Sequence, residues 1–522
     1  MTSGRAVARA GVIVSLAFLA ARILGWVRIV VIGNTVTPAS DLDAFFAAFR
    51  IPDLIFQLVA AGALSSALIP VVAGLLAADE TSRAWRVVST IANLVLMALL
   101  VLAVIVFIAA PVLVPVFTPG FDQATMDLTV TLTRIMLLSP IFLSLGAVAT
   151  SVLNATGRFA AAAIAPVVYN LAIIGGTVLL YPSMGVAGVA VGVVAGAACH
   201  LLIQLRPLAR LGFRYRPRVE ADDPAARRAL VLMAPRALGL GGTQLTFLIV
   251  TALASNLGPG AVSAFFIAFS IVQIPIGVIG VPLGVVLFPT LSREAAVGRD
   301  DTFVRLLTHA MRLLLFVMIP VSVVSAILAE PAVRLLFGSS FDEAALQLTA
   351  STLLAFLIGL PAHALIAVLA RSFYARQDTL TPVLAALGAV VVNTTLAVLF
   401  VGPLGLPGIA LAIAIAAWLE AGALTVILRR RIQAFRPLSV APVVLATLAA
   451  SVIAALPAIA TFGWLEQLLG QAPGIIGLIV EMTLVTAVFG AVHAAVSLVL
   501  RVPELPTIVG VMVDVVRRPR RS

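Results

Sequence analysis

Apolar residues fill this chain in blocks of about twenty or more, separated by short polar connections, along nearly its whole length. A block of that size crosses the ~30 Å hydrocarbon core of a bilayer as one α-helix. The windows predict fourteen such helices, near 11–33, 43–76, 87–114, 127–156, 159–181, 185–205, 229–257, 263–290, 305–329, 345–373, 382–401, 405–428, 439–461 and 473–500. Continuous apolar runs, rather than ten-residue segments of alternating character, exclude an outer-membrane barrel. Composition agrees, since 62% hydrophobic residues, 11% charged residues and a mean hydropathy of +1.18 are incompatible with a soluble fold. The expected fold class is an all-α polytopic membrane protein with about fourteen transmembrane helices.

Charge adds orientation. All 33 basic residues are arginine, and they sit in alternate connections: Arg83 and Arg86, Arg158, the stretch 206–228, Arg293 and Arg299, Arg376, and 429–436. The intervening connections carry almost none, with Arg334 the clear exception. By the positive-inside rule both termini are expected in the cytoplasm. The net charge of +11 is then a topology signal and an attraction to anionic headgroups, and no nucleic-acid partner is expected. Arg5 and Arg9 precede an apolar run as in a signal peptide, but that run is too long and contains Arg22 and Arg28, so it is read as helix 1. The single cysteine, Cys199, offers neither an internal disulfide nor a thiolate cluster.

The chain also repeats itself. AFFAAF from Ala44 returns as AFFIAF from Ala264, the helix ends at Pro70 and Pro289 correspond, and MGVAGVA from Met184 returns as LGLPGIA from Leu404, all at an offset of 219 or 220. An offset spanning an even number of helices predicts two parallel-related six-helix lobes, a plan common in transporters. The expected organisation is an N-lobe at 1–205, a basic cytoplasmic linker at 206–228, a C-lobe at 229–431, an added C-terminal helix pair at 432–500 and a basic cytoplasmic tail at 501–522. Gly25, Pro52, Gly277 and Gly280 lie inside predicted helices and are hinge candidates.

Charges inside apolar spans are few, and each is a functional-site candidate because burying it is costly. They gather on the first two helices: Arg22 and Arg28 on one, Asp43, Arg50 and Asp53 on the next. Counting rise per residue, Arg28 matches Arg50 in depth and Arg22 matches Asp53. Ion pairs such as Arg22 with Asp53, or Arg50 with Asp53, would lock the two helices, yet three arginines face two acids. The excess guanidinium suits an anionic substrate, phosphate or diphosphate above all. Glu420, with Asn393 and Thr394, is the candidate site for a coupling proton or monovalent cation, while Gln244 and Thr246 offer oxygens to an ion or bonds between helices. No catalytic constellation stands out: His200, His309, His363 and His493 are dispersed, and nucleotide-binding and nucleophile-elbow motifs are absent, so neither an enzyme, a metal site nor a cofactor is expected.

Five segments resemble the MurJ (MviN) lipid II flippases of the multidrug/oligosaccharidyl-lipid/polysaccharide exporter superfamily: ARILGWVR from Ala21, DAFFAAFRIPDLI from Asp43 on to AGALSSALIP at Pro70, LNATGRFAAAAIAP from Leu153, GVPLGVVLFPTLSR from Gly280 and RSFYARQDTLTP from Arg371. The resemblance implies an inner-membrane transporter in peptidoglycan and cell-wall biosynthesis, moving an undecaprenyl-diphosphate-linked precursor outward by alternating access. It also implies that the last two helices form a groove for the lipid tail. It places Arg22, Arg28, Asp43 and Ser65 on family motif positions, and shows neutral residues at Ile29, Phe56, Phe269 and Ser270 where the family usually carries charge. Direction is expected from the membrane potential or a monovalent cation, and cell-wall synthesis enzymes are candidate partners. Two other readings stay open: export of another polyprenyl-linked glycan or amphiphile, and a non-transporting scaffold that binds precursor.

Overall fold

The computed structural model describes residues 4–59, 63–470, 474–507 and 510, with side chains described throughout these except at 4–13, 15, 59, 63–67 and 232–243. Every regular element among the described residues is helical. The chain forms two compact units, residues 1–263 and 264–522. The first holds α1 (Gly4–Thr35), α2 (Ala39–Ala48), α3 (Arg50–Val59), α4 (Ala63–Ala77), α5 (Thr81–Phe117), α6 (Gln123–Met136), α7 (Leu138–Ala155), α8 (Phe159–Met184), α9 (Val186–Ala209) and α10 (Pro224–Ser255). α11 (Ala261–Pro275) begins at the boundary. The second unit continues through a π-helical turn (Ile276–Gly280), α12 (Val281–Ala296), α13 (Asp300–Ile327), α14 (Ala329–Phe337), α15 (Glu343–Ala375), α16 (Leu380–Arg431), a 3-10 turn (Pro437–Val440), α17 (Ala441–Leu469) and α18 (Ile475–Val499).

Eleven helical segments among the described residues are long and apolar enough to cross a membrane, against the fourteen expected. The difference falls at three places. The predicted helix 43–76 turns at Phe49 and includes residues 60–62, which lie outside the described ones; window 229–257 falls on α10, whose side chains at 232–243 lie outside the described residues; and windows 382–401 and 405–428 run together in α16. Outward faces are apolar, as lipid contact requires: Ile108 and Val112 on α5 are 70% and 72% exposed.

The repeat is visible in backbone geometry. Gly185 joins α8 to α9 at φ 58° and ψ −146°, and Gly405 interrupts α16 at φ 60° and ψ −141°, a region open to glycine alone. Three residues after each, Gly188 lies against the backbone of Leu180 and Gly408 against that of Phe400, so the same tight helical hairpin is built twice. Gly405→Ala is expected to destabilise the protein by about 1–3 kcal/mol through backbone strain alone. Gly388→Ala, in open space in the same helix, should be neutral or slightly stabilising; the two thermal midpoints in detergent give the comparison.

The linker is strapped down rather than loose. Asn93 on α5 donates to the carbonyls of Arg216 and Arg218, both at 2.9 Å, and accepts from the Tyr215 hydroxyl at 2.6 Å. Ser89 and Thr90 accept from the Arg216 and Glu220 amides. Arg83 forks onto Asp223 at 2.9 and 3.2 Å, and Arg86 pairs with Glu220 at 3.2 Å. Asp223 in turn caps α10 by accepting from Ala225 N at 2.8 Å, with Pro224 at the first helical position. The Arg83 hydrogen bond holds the Asp223 carboxyl below its usual range. A carboxyl depressed in the folded state stabilises above its unfolded pKa and loses that contribution as pH falls through the folded value. The strap should therefore be insensitive to pH near neutrality and loosen only below about pH 4, seen as faster hydrogen exchange at the Arg216 and Glu220 amides.

Candidate functional site

The break that cuts the predicted second helix also shapes the site. Pro52 carries no N–H and its ring excludes the helical carbonyl four residues back, at Ala48. The chain turns at Phe49, and the freed Ala48 carbonyl accepts from Thr133 Oγ1 of α6 at 3.5 Å. Pro52, a hinge candidate from sequence, thus lies in the first turn of α3, just past the point where α2 gives way to it. Arg50 opens α3 with its Nε donating to the Phe46 carbonyl at 3.1 Å, and its guanidinium lies 5.8 and 6.0 Å from the rings of Phe49 and Phe247.

One turn further, Asp53 accepts from Gln244 Nε2 of α10 at 3.4 Å, with Gln57 of α3 beside it. Arg50 and Arg28 both lie within electrostatic reach of this carboxylate. Arg28 is half-buried on α1, its guanidinium 5.9 Å from the centroid of Tyr169 on α8. Among the described residues it makes no hydrogen bond or ion pair. One face of the guanidinium is therefore stacked, while its N–H edge has no protein acceptor there. Two arginines against one carboxylate leave an excess positive charge, held among apolar helices and aromatic rings where Coulomb forces are strong. An oxyanion offering two oxygens in a plane fits that edge.

Arg22, expected beside Asp53, is exposed and takes no part in this cluster. Its six-residue separation from Arg28 puts the two on different sides of α1, and the packing of α1 on α8 selects Arg28. Asn170 of α8 holds that packing by donating to the Ala21 carbonyl at 3.3 Å, and a Cβ on Gly25 would stand 3.8 Å from its Oδ1. That is ordinary van der Waals distance, so the packing does not require glycine at the hinge candidate Gly25, and α1 stays helical through it. Tyr169 and Gln57 were not singled out in the sequence, and an aromatic or amide in an apolar run carries no distinguishing signal.

Asp43 stands apart. It is 1% exposed, and its two oxygens accept from the amides of Gly260 and Ser263, both at 2.7 Å, satisfying donors at the start of α11. Ser65 belongs to α4, but its side chain lies outside the described residues. In the second unit Asn393 is buried with its Oδ1 lacking a partner among the described residues, Thr394 follows it, and Glu420 is half-buried beyond the Gly405 interruption. Gly277 and Gly280 fall in the π-helical turn after Pro275, and a Cβ on Gly280 would stand 3.2 Å from that of Ala364 on α15. The repeat counterparts of Phe49 and Arg50 are Phe269, packed on Phe265 and Phe356, and Ser270, bonded to the Phe266 carbonyl at 2.6 Å. The charged cluster thus belongs to the first unit alone among the described residues.

Comparison with known proteins gives this arrangement its context. The family model described as Lipid II flippase MurJ matches residues 34–476, beginning after Arg28 and including Arg50 and Asp53. A probable lipid II flippase MurJ of Rhizobium tropici is 34% identical over 431 residues, covering 80% of this chain and 79% of that protein. The lipid II flippase MurJ of Burkholderia cenocepacia is 32% identical over 422 residues, 79% of this chain and 82% of its own. A solved structure of a lipid II flippase MurJ in an inward closed conformation has a TM-score of 0.77 at 22% identity, over 93% of this chain and 99% of that one. An inward-facing multidrug resistance MATE transporter of the MOP superfamily follows at 0.68 and 18%, over 79% and 95%. The structural likeness establishes the fold, and the family match together with the identity to full-length relatives establishes descent: the chain belongs to the lipid II flippase MurJ family.

Proposed function

We propose that the protein carries lipid II, a polyprenyl-diphosphate-linked peptidoglycan precursor, from the cytoplasmic to the outer leaflet of the bacterial inner membrane by alternating access. Arg28 carries the reading: a cation within an apolar helix bundle, its ring-facing side stacked and its N–H edge without an acceptor among the described residues. Arg28 and Arg50 take the diphosphate oxygens, and Asp53, attracted to both, offsets their mutual repulsion and limits the grip so that the substrate leaves again. Gln244 and Gln57 hold Asp53 in place.

In this account residues 1–205 and 229–431 act as the moving lobes and 206–228 as their cytoplasmic connection, with both termini in the cytoplasm. The polyprenyl tail stays in lipid along 432–500, where α17 and α18 expose Leu456, Leu468, Ile475 and Ile476. Direction comes from the membrane potential, worth about 2.3 kcal/mol per charge per 100 mV, or from a monovalent cation or proton at Asn393, Thr394 and Glu420. Basic loops supply contacts for cell-wall synthesis enzymes. Complementation tests the reading: in a bacterium depleted of its own lipid II flippase, this chain should restore growth. Failure of a well-expressed, folded protein would redirect the account to another lipid-linked substrate.

A further inference from the structure

Beneath the strapped linker lies a cavity that the transport account does not use. Its volume is about 300 Å³, at the small end of ligand sites. Ala92 and Leu96 of α5, Leu145 and Val148 of α7, Leu205 of α9 and Phe213 of the linker form its walls. Asn93 and Tyr215 are its polar edge, and they already bond to each other. Such a lining offers water nothing and a hydrocarbon chain a good deal.

The rim is charged. Arg206, Arg210, Arg214, Arg216 and Arg218 follow one another with no acid among them, all exposed, and none has an ion-pair partner among the described residues. The acids that come next are taken: Glu220 by Arg86 and Asp223 by Arg83. The linker is extended here, with Phe213 turned to the cavity and Arg214 and Arg216 outward. Apolar depth beside unpaired guanidinium groups, at the arginine-rich end of the membrane helices, is complementary to one molecule in particular. We propose that the cavity is a binding site for an anionic glycerophospholipid, one acyl chain entering between α5, α7 and α9 and the phosphate meeting Arg210, Arg214 and Arg216.

Trp85 provides the probe. It is 7% exposed, packs edge-on against Phe213 with centroids 5.6 Å apart, and lies one turn from Val88 of the cavity wall. The full chain with Trp26→Phe, Trp418→Phe and Trp464→Phe keeps Trp85 as its single tryptophan. It is titrated in detergent with phosphatidylglycerol or phosphatidylcholine carrying brominated acyl chains. Quenching of Trp85 should saturate, with phosphatidylglycerol favoured by at least about fivefold, the worth of one arginine near a net anionic headgroup, because the choline ammonium cancels the phosphate charge of phosphatidylcholine. Ala92→Phe, which fills the cavity, should abolish quenching by both lipids, and the smaller fill Val148→Met should weaken it if Ala92→Phe lowers the thermal midpoint. Combined Arg210→Gln, Arg214→Gln and Arg216→Gln should bring phosphatidylglycerol down to the level of phosphatidylcholine while quenching persists. Equal quenching by the two lipids in the unfilled protein would overturn the headgroup assignment. Quenching that survives both cavity fills would mean that surrounding lipid reaches Trp85, and would overturn the site.

Discussion

Arg28→Ala is expected to abolish support of growth in flippase-depleted cells while leaving expression and thermal midpoint nearly unchanged. The separation of the two effects follows from what Arg28 touches. It makes no hydrogen bond or ion pair among the described residues, so the fold loses little beyond its stacking on Tyr169. The substrate loses more, because each hydrogen bond to a charged group is worth about 1.5–3 kcal/mol, or roughly 10–150-fold in affinity. Arg28→Lys should recover only part of the activity, since an ammonium keeps the charge but not the planar fork. Arg22→Ala, at an exposed position outside the cluster, should have a much smaller effect. Growth at matched membrane expression, with a thermal melt of each purified variant, separates a binding defect from a folding defect.

Asp43→Ala should act in the opposite way, as a lesion of structure. Both oxygens of Asp43 are engaged by the Gly260 and Ser263 amides in a buried setting. Removing the carboxylate strands two donors, at about 1–3 kcal/mol each, for a total loss of about 2–6 kcal/mol. Asp43→Asn should fall between, because one carbonyl oxygen remains while the amide nitrogen is a donor facing a donor. Thermal unfolding should rank the proteins wild type, Asp43→Asn, Asp43→Ala, and hydrogen exchange should accelerate first at the Gly260 and Ser263 amides. A variant that melts like wild type would show that the bonds at Gly260 and Ser263 contribute nothing to the folded state.

The helical class was legible from run length, and the twin hairpins from MGVAGVA and LGLPGIA, because Gly185 and Gly405 occupy the same place in each. The break at Phe49 was harder to read. Pro52 was visible as a hinge candidate, but whether a proline interrupts a helix depends on whether another element takes the freed carbonyl, and Thr133 lies on a distant helix. The cluster was half legible for a similar reason. Depth along a helix follows from sequence, and it brought Arg28 level with Arg50; rotation about the helix does not, and the pairing of Arg22 with Asp53 failed on it. Tyr169 and Gln57 had no signal because their role comes from neighbours. The linker read as a polar interruption, yet Ser89, Thr90 and Asn93, spaced along an otherwise apolar helix, were the trace of its anchoring.

Reconstitution tests the central claim most directly. The purified chain is placed in proteoliposomes with fluorescent lipid II, and the fraction accessible to a membrane-impermeant quencher is followed over time for the wild type and for Arg28→Ala. The account predicts exchange between leaflets with the wild type and loss of that exchange with Arg28→Ala at equal protein incorporation. Equal exchange in the two preparations would contradict it.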